Sequence, residues 1–428
     1  MMRKSSIFWL TAFIGILLTF VVACGPGGQA NTSTTPRGES LYILDGHTTN
    51  AGQRIITLHP GNHSPQSSMI LPTGLFSQDH RRIYTAIPQG DHTVITVTNM
   101  LTGATIRSMT IDGAYSTAGQ SYANAVLSAD GHWLALRQPV QTGPDSIIVL
   151  VDTQVGKVAK TIVLNGTFDL DAVSPDGSRI YLLERHNDAA GHYTVRLYQV
   201  DQGQLAPYPI VDKRDLDPNM VGNPLTRQIS PDGKIAYTLY TNTASNRAFI
   251  HILPLASDYQ GVRCIDLPVG KSTDLRYYTL ALSSNGSTLY AANGAIGVVS
   301  EINTSDPDTV SDDLVRTVRF DPGKSNTASN QTADLYNGAT LSQDRDQSML
   351  YFTGIDGIWA ASTTNLSIKT HYATGQAFTS IALSTDGRNL YAVHPTSGII
   401  SIDTTSGQFQ RIVSDPAQTP WGIEWVNG

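Results

Sequence analysis

Along most of this chain, short apolar runs rich in Val, Ile, Leu and Tyr are separated by clusters of Gly, Pro, Asn, Asp and Ser. The runs lack the three-to-four-residue apolar spacing of a helix, so they read as β-strands between turns. The clearest pair of strands flanks Ser174-Pro175-Asp176-Gly177. Pro175 presets φ for the first corner, Asp176 can bond back to its own backbone, and Gly177 tolerates the positive φ that follows. A lone hairpin cannot bury its apolar face. The sequence answers by repetition: related hairpins carry Ser77, Ser128, Ser174, Ser230, Ser283, Ser342 and Ser384, at a mean spacing of about 51 residues. His80 and Arg345 stand where the turn glycine is expected, which predicts looser turns in those two copies.

Two further strand-like runs follow each hairpin, such as Tyr193 to Val200 and Gln204 to Val211, or Gly398 to Asp403 and Gln408 to Val413. The unit is therefore four antiparallel strands, and units of this period read as the blades of a β-propeller. Seven units are complete. The two ends predict an eighth: Ser40 to Asp45, Gln53 to His59 and Ser67 to Leu71 supply three strands, and Trp421 to Val426 supplies the missing first one. Their pairing closes the ring and removes two free sheet edges. The expectation is an all-β, eight-bladed propeller of four-stranded antiparallel blades, one domain over residues 40–428, with seven blades as the alternative. No long amphipathic helix is predicted within it; Leu335 to Ala339 and Asp215 to Met220 could hold a short turn.

The first 39 residues break this pattern. Arg3 and Lys4 precede an apolar stretch from Ile7 to Val22, which is a secretory signal in physical terms. Val21-Val22-Ala23-Cys24 resembles the lipobox of a bacterial lipoprotein. The resemblance implies a signal peptide over 1–23, cleavage before Cys24 and a diacylglycerol on that cysteine. The Gly, Ser, Thr and Asn of residues 24–39 make a flexible tether. The expected location is the extracytoplasmic face of the cell membrane. The formal net charge of −7 becomes −9 once Arg3 and Lys4 are removed. That balance argues against nucleic acid as a partner, and leaves membrane attachment to the lipid. With Cys24 lipidated, Cys264 is the remaining thiol, so no intramolecular disulfide is expected; its strand-like surroundings predict a buried, small apolar role. A monomer is expected.

The Ser-Pro-Asp-Gly turns followed by Ile-Tyr or Leu-Tyr strands resemble the YVTN and lactonase-like propeller superfamily over roughly residues 40–428. What the resemblance implies is architecture, since the superfamily holds lactone hydrolases, redox-enzyme subunits, surface-layer proteins and binding proteins. The Gly-His…Trp-Asp signature of WD repeats is missing, as is the tryptophan-docking pattern of quinoprotein dehydrogenases, although Asn99 to Gly103 and Asp152 to Gly156 make a similar turn. Ala291-Ala292-Asn293 is the nearest approach to a Tyr-Val-Thr-Asn tetrad. No family active site carries over residue by residue.

The repeating turn acids (Asp79, Asp130, Asp176, Asp232, Asp344 and Asp386, with Asn285) are explained by turn-making, because a site is built from blades that differ. The differing segments are the connections into each first strand. Phe168-Asp169-Leu170-Asp171 puts two carboxylates on one face of a strand, Arg227 enters the next blade at a matching offset, and Asn124, Tyr278, Asn337 and Ser380 enter others. These residues predict a polar rim at the mouth of the central channel, the default ligand site of a concave fold. No cofactor is required; Asn124, Asp169, Asp171 and Asn337 offer oxygen donors for a divalent cation if they converge. The acidic run 306–313 lacks the alternation and glycine of a calcium loop and reads as a solvated insertion. No His-x-x-x-His spacing and no Gly-x-Ser-x-Gly elbow occurs. The leading expectation is a lipid-anchored, non-catalytic propeller binding a protein, glycan or small molecule. The alternative is a lactonase-like hydrolase at the channel mouth, favoured if three or more of Asn124, Asp169, Asp171, Arg227 and Asn337 meet at one point. A surface-layer component is a third possibility, marked by self-association.

Overall fold

Seven hairpin turns are tied by the same set of bonds. In each, the serine hydroxyl donates to the Asp or Asn two residues on, as Ser174 does to Asp176 at 2.5 Å and Ser283 to Asn285 at 2.7 Å. The same serine oxygen accepts the backbone N–H that starts the next strand, from Arg179 at 3.0 Å in that copy. The Ser230 hydroxyl, against a smaller opposing effect of burial, holds the Asp232 carboxyl below its ordinary range. The repeating acids are thus turn-makers. Gly177 sits at φ +71°, and a Cβ there would come within 2.4 Å of the Trp133 ring, so both backbone and packing demand glycine.

The computed structural model describes residues 38–46, 53–60, 69–118, 123–139, 145–189, 191–212, 217–256, 261–305, 314–323, 335–412 and 418–428. The signal, Cys24, the tether up to residue 37 and the acidic run 306–313 lie outside them. No helix of the described residues is long and apolar enough to cross a membrane. The described strands form eight sheets, seven antiparallel ones of four strands and one of five, in which a short fifth strand joins four antiparallel ones in parallel. Blade 1 combines Ser40–Asp45, Arg54–Leu58 and Ile70–Pro72 with the C-terminal strand Pro420–Asn427, so the ring closes as the pairing of the two ends predicts. The inner strands of blades 2 to 8 are Leu75–Phe76, Ala125–Leu127, Thr167–Val173, Asn223–Ile229, Tyr278–Leu282, Ala339–Leu341 and Ser380–Leu383.

Among the described residues there is no single core. Eight apolar clusters each lie between two consecutive blades, the last joining blade 8 to blade 1 through Leu41, Ile43, Tyr391 and Val393. On Ser40–Asp45, Leu41 and Ile43 face blade 8 while Tyr42 and Leu44 face blade 2. Both faces of a blade are buried, which is why strands here read as unbroken apolar runs. The chain is already fixed at Glu39, 2 % exposed, whose carboxylate takes the Thr385 N–H at 2.6 Å and the Tyr391 hydroxyl at 2.6 Å.

Several local expectations are corrected. His80 makes the tight turn after all: it adopts φ 53°, and its N–H reaches the Ser77 carbonyl at 2.8 Å as the glycines do elsewhere. Only the turn containing Arg345 is longer, with Gln347 taking the positive φ. The run Gln204 to Val211 is not one strand. Pro207 and Pro209 cannot donate to a ladder, so Gln204–Leu205 pairs in blade 4 and Val211–Asp212 crosses to pair in parallel with Gly261–Asp266 of blade 5. Cys264 is half-buried, lining an outer cavity of about 270 Å³. A short 3-10 helix, Ser272–Tyr277, leads into blade 6 where none was predicted.

Candidate ligand site in the channel

The inner strands of blades 1 to 5, with Leu335 to Asn337 ahead of blade 7, enclose a channel cavity of about 640 Å³. It runs from the loops at the start of the inner strands to the hairpin turns, further along the axis than the rim expected from the sequence. Gln78 crosses that end: its side-chain amide donates to the Ser230 carbonyl of blade 5 at 2.9 Å. Blades 2 and 5 are not neighbours, so this bond spans the ring.

Asp171, Arg227 and Asn337 line the cavity as expected. By number, this convergence is the condition set for a hydrolytic reading. The rest of the expected rim is elsewhere. Tyr278 is 1 % exposed, packed between blades 5 and 6, with its hydroxyl donating to the Pro268 carbonyl. Ser380 is fully buried, its hydroxyl oxygen accepting the Ile423 N–H at 3.0 Å. Asn124 and Asp169 are joined through Arg137, at 2.7 Å and 3.2 Å, and Arg185 donates to Asp169 at 2.7 Å.

The two carboxylates of Phe168 to Asp171 therefore part company. A β-bulge between Leu170 and Ala172 leaves Asp171 without a cross-strand partner and breaks the alternation that would align it with Asp169. Asp169 serves arginines of blades 3 and 4, while Asp171 pairs with Arg227 of blade 5. Arg227 also donates to the Asp171 carbonyl at 2.5 Å and to the Thr238 hydroxyl at 2.7 Å. With guanidinium groups seated on both acids, Asn124, Asp169, Asp171 and Asn337 do not form the cation site considered for them. Among the described residues, no cluster of three or more His, Cys, Asp or Glu is placed to hold a metal.

Three residues that the sequence reading passed over complete the cavity. Glu424 lies on a second bulge, between the pairs of Trp425 and Ile423, at the position in blade 1 that Asp171 takes in blade 4. Its carboxylate accepts the Tyr336 hydroxyl, and the His80 Nδ1 stands 3.2 Å from the other oxygen, at ion-pair distance but off the line of a hydrogen bond. Tyr336 comes from ahead of blade 7, and its backbone N–H reaches the Thr379 carbonyl, just before the inner strand of blade 8, at 2.8 Å. Gly422 makes room: a Cβ there would come within 2.7 Å of the Tyr336 ring. The available signal was the break in the repeat itself, histidine in place of the turn glycine and an acid in an otherwise apolar strand.

Behind Arg227, a polar row runs across blade 5. Arg227, Thr238, His251 and Cys264 are successive cross-strand partners from the inner strand outward. His251 is fully buried and neither ring nitrogen has a hydrogen-bond partner among the described residues. Burial lowers its pKa to about 4, with Arg227 acting the same way and Asp171 and Asp212 opposing.

Comparison with known proteins adds the fold. No family model matches the chain, and no curated protein matches it. Solved structures do. The dihydro-heme d1 dehydrogenase NirN aligns over 94 % of this chain and 78 % of its own, at 14 % identity and a TM-score of 0.51. Hydrazine synthase of Kuenenia stuttgartiensis aligns over 81 % and 98 %, at 14 % identity and a TM-score of 0.40. A Bacteroides fragilis chain provisionally described as a 6-phosphogluconolactonase aligns over 81 % and 99 %, at 17 % identity and a TM-score of 0.40. At 14 % identity the NirN alignment speaks for the fold alone, and the two at a TM-score of 0.40 add nothing to it.

Proposed function

We propose that the protein is a lipid-anchored, extracytoplasmic propeller that binds a small polar ligand in the channel between blades 1 and 5, without chemistry of its own. The anchor rests on the lipobox around Cys24. The binding role rests on one observation: each acid described in the cavity already has one oxygen engaged by a neighbouring side chain. One Glu424 oxygen accepts the Tyr336 hydroxyl, and one Asp171 oxygen is paired with Arg227. The other Asp171 oxygen is sealed from solvent. What the cavity does offer is a concave wall with charged and amide groups already oriented, which is the make-up of a recognition site. A thermal-shift screen of sugars, small acids, ammonium compounds, lactones and divalent cations tests it, because a ligand bound only by the folded state raises the midpoint. A hit should weaken on Asn337→Ala.

A second reading, hydrolysis of a lactone ring, is favoured by the convergence of Asp171, Arg227 and Asn337 on one cavity. It requires a carboxylate to take a proton from water as the carbonyl is attacked. Base uptake during incubation with simple lactones, abolished in Glu424→Gln or Asp171→Asn, would replace the binding reading with this one.

A further inference from the structure

At the end of blades 3 and 4 remote from the hairpin turns, two arginines share one acid. Arg137 closes the second strand of blade 3, Trp133–Arg137, and Arg185 closes that of blade 4, Arg179–Arg185. Arg137 stands 3.2 Å from Asp169 Oδ1, and Arg185 donates through Nε to Asp169 Oδ2 at 2.7 Å. Other pairs in the ring set one base against one acid: Arg54 on Asp45, Arg196 on Glu184 and Arg316 on Glu301. Arginine keeps its proton at any ordinary pH, so the Asp169 cluster carries one positive charge in surplus. It stands by the channel: Asn124 directly precedes the inner strand of blade 3, and Asp169 lies two residues ahead of the cavity-lining Asp171.

Both guanidinium groups are fixed in place. Arg137 donates through Nε to the Ala123 carbonyl at 2.9 Å and through Nη2 to Asn124 Oδ1 at 2.7 Å. Arg185 lies over the buried Tyr193 ring, 5.0 Å from its centre. A set of donors is left over. Arg137 Nη1, both η nitrogens of Arg185 and the Asn124 amide nitrogen make no hydrogen bond among the described residues. The arginine side chains are 14 % and 30 % exposed, so these donors are shielded without being sealed. Planar forks of this kind match the paired oxygens of a carboxylate. Charge decides between oxyanions. One carboxylate neutralises the surplus, whereas a phosphate monoester, with a charge of about −1.5 to −2 at neutral pH, overshoots it. We propose that Arg137, Arg185 and Asn124 bind the carboxylate of a small organic acid at the entrance of the channel, opposite the end that Gln78 crosses. The inference goes beyond the channel reading and does not depend on it.

Calorimetric titration of the full chain with sodium benzoate tests it, against benzamide, its uncharged isostere, and sodium phosphate at equal ionic strength. Benzoate should bind about tenfold more tightly than either, and Arg185→Gln should cost about tenfold, within the range of a lost hydrogen bond to a charged group. Should Arg185→Gln fail to fold, Arg137→Lys repeats the test, because it keeps the charge and removes the fork. Asp169→Asn discards the competing acid, so it should bind benzoate more tightly than the parent; arginines with a purely structural role would show no such gain. Arg196→Gln, in blade 4 but outside the cluster, should leave binding unchanged. Benzoate binding no tighter than benzamide, or indifferent to both arginine substitutions, overturns the proposal, as does phosphate binding more tightly through the same arginines. If benzoate fails while an uncharged compound binds in an Asn337-dependent way, the entrance site falls and the channel reading stands. If benzoate binds through the arginines while nothing binds through Asn337, the entrance stands and the channel reading falls.

Discussion

The Tyr391 hydroxyl donates to the Glu39 carboxylate at 2.6 Å, joining the start of the propeller to blade 8. Thr385 gives the same carboxylate its N–H at 2.6 Å and its hydroxyl at 3.1 Å. This buried cluster reinforces the ladder of blade 1 from the neighbouring sheet. Glu39→Ala leaves those donors orphaned, and each buried unsatisfied group costs about 1–3 kcal/mol. Urea denaturation should show a loss of at least about 2 kcal/mol, and Tyr391→Phe a smaller one.

The Asp171–Arg227 pair should behave as a buried ion pair, its side chains 3 % and 6 % exposed. Removal of one partner leaves an uncompensated charge and costs about 3–5 kcal/mol, whereas replacement of both by apolar groups of similar volume is far milder. Arg227→Met alone should be the worse variant in denaturant titrations, with Asp171→Leu plus Arg227→Met recovering much of the loss.

The turn glycines and His80 give opposite expectations. Gly177→Ala must both hold a positive φ and displace the Trp133 ring, so it should lose more than about 1 kcal/mol. His80→Gly relieves the left-handed strain while giving up its place beside Glu424. Its melting temperature should stay near that of the parent, and any ligand that the thermal-shift screen finds for the channel should bind more weakly.

His251 predicts a pH dependence. Its folded pKa of about 4 lies below the ordinary value of 6.5, so the unfolded chain binds the proton first as pH falls. Stability from keeping this imidazole neutral is full above about pH 6.5 and is lost between there and about pH 4, on the order of 3 kcal/mol. His251→Leu should flatten that part of a stability-versus-pH curve. The remaining acid limb belongs to carboxyls held low by their turns, such as Asp232 and Asp403.

The blades were legible because their signals are local. Ser-x-Asp-Gly fixes a turn within six residues, and apolar runs fix the strands beside it. Ring closure was legible too, because Trp421 to Val426 fits the one vacancy in the repeat. The site was only partly so. Asp171 and Arg227 stood out as charges at matching offsets, but the bulge at Asp171, which separates it from Asp169, has no signature in Phe168-Asp169-Leu170-Asp171. Tyr278 and Ser380 were chosen for polarity at strand starts, where their hydroxyls instead satisfy backbone groups of the ring. Glu424, His80 and Tyr336 meet through the ring's closure, and no spacing along a chain encodes that.

The antiparallel clasp of blade 1 also has a mechanical character. Ser40 pairs with Asn427, so the chain enters and leaves the ladder at the same end. Tension between the two ends would load its hydrogen bonds one at a time, as in a zipper, instead of all together in shear. The first pairs to part, Ser40 with Asn427, Leu41 with Val426 and Tyr42 with Trp425, lead straight to Glu424. A modest pull would therefore open the wall of the channel at Glu424 while the other seven blades stayed folded, a weak point that no measurement at rest would reveal.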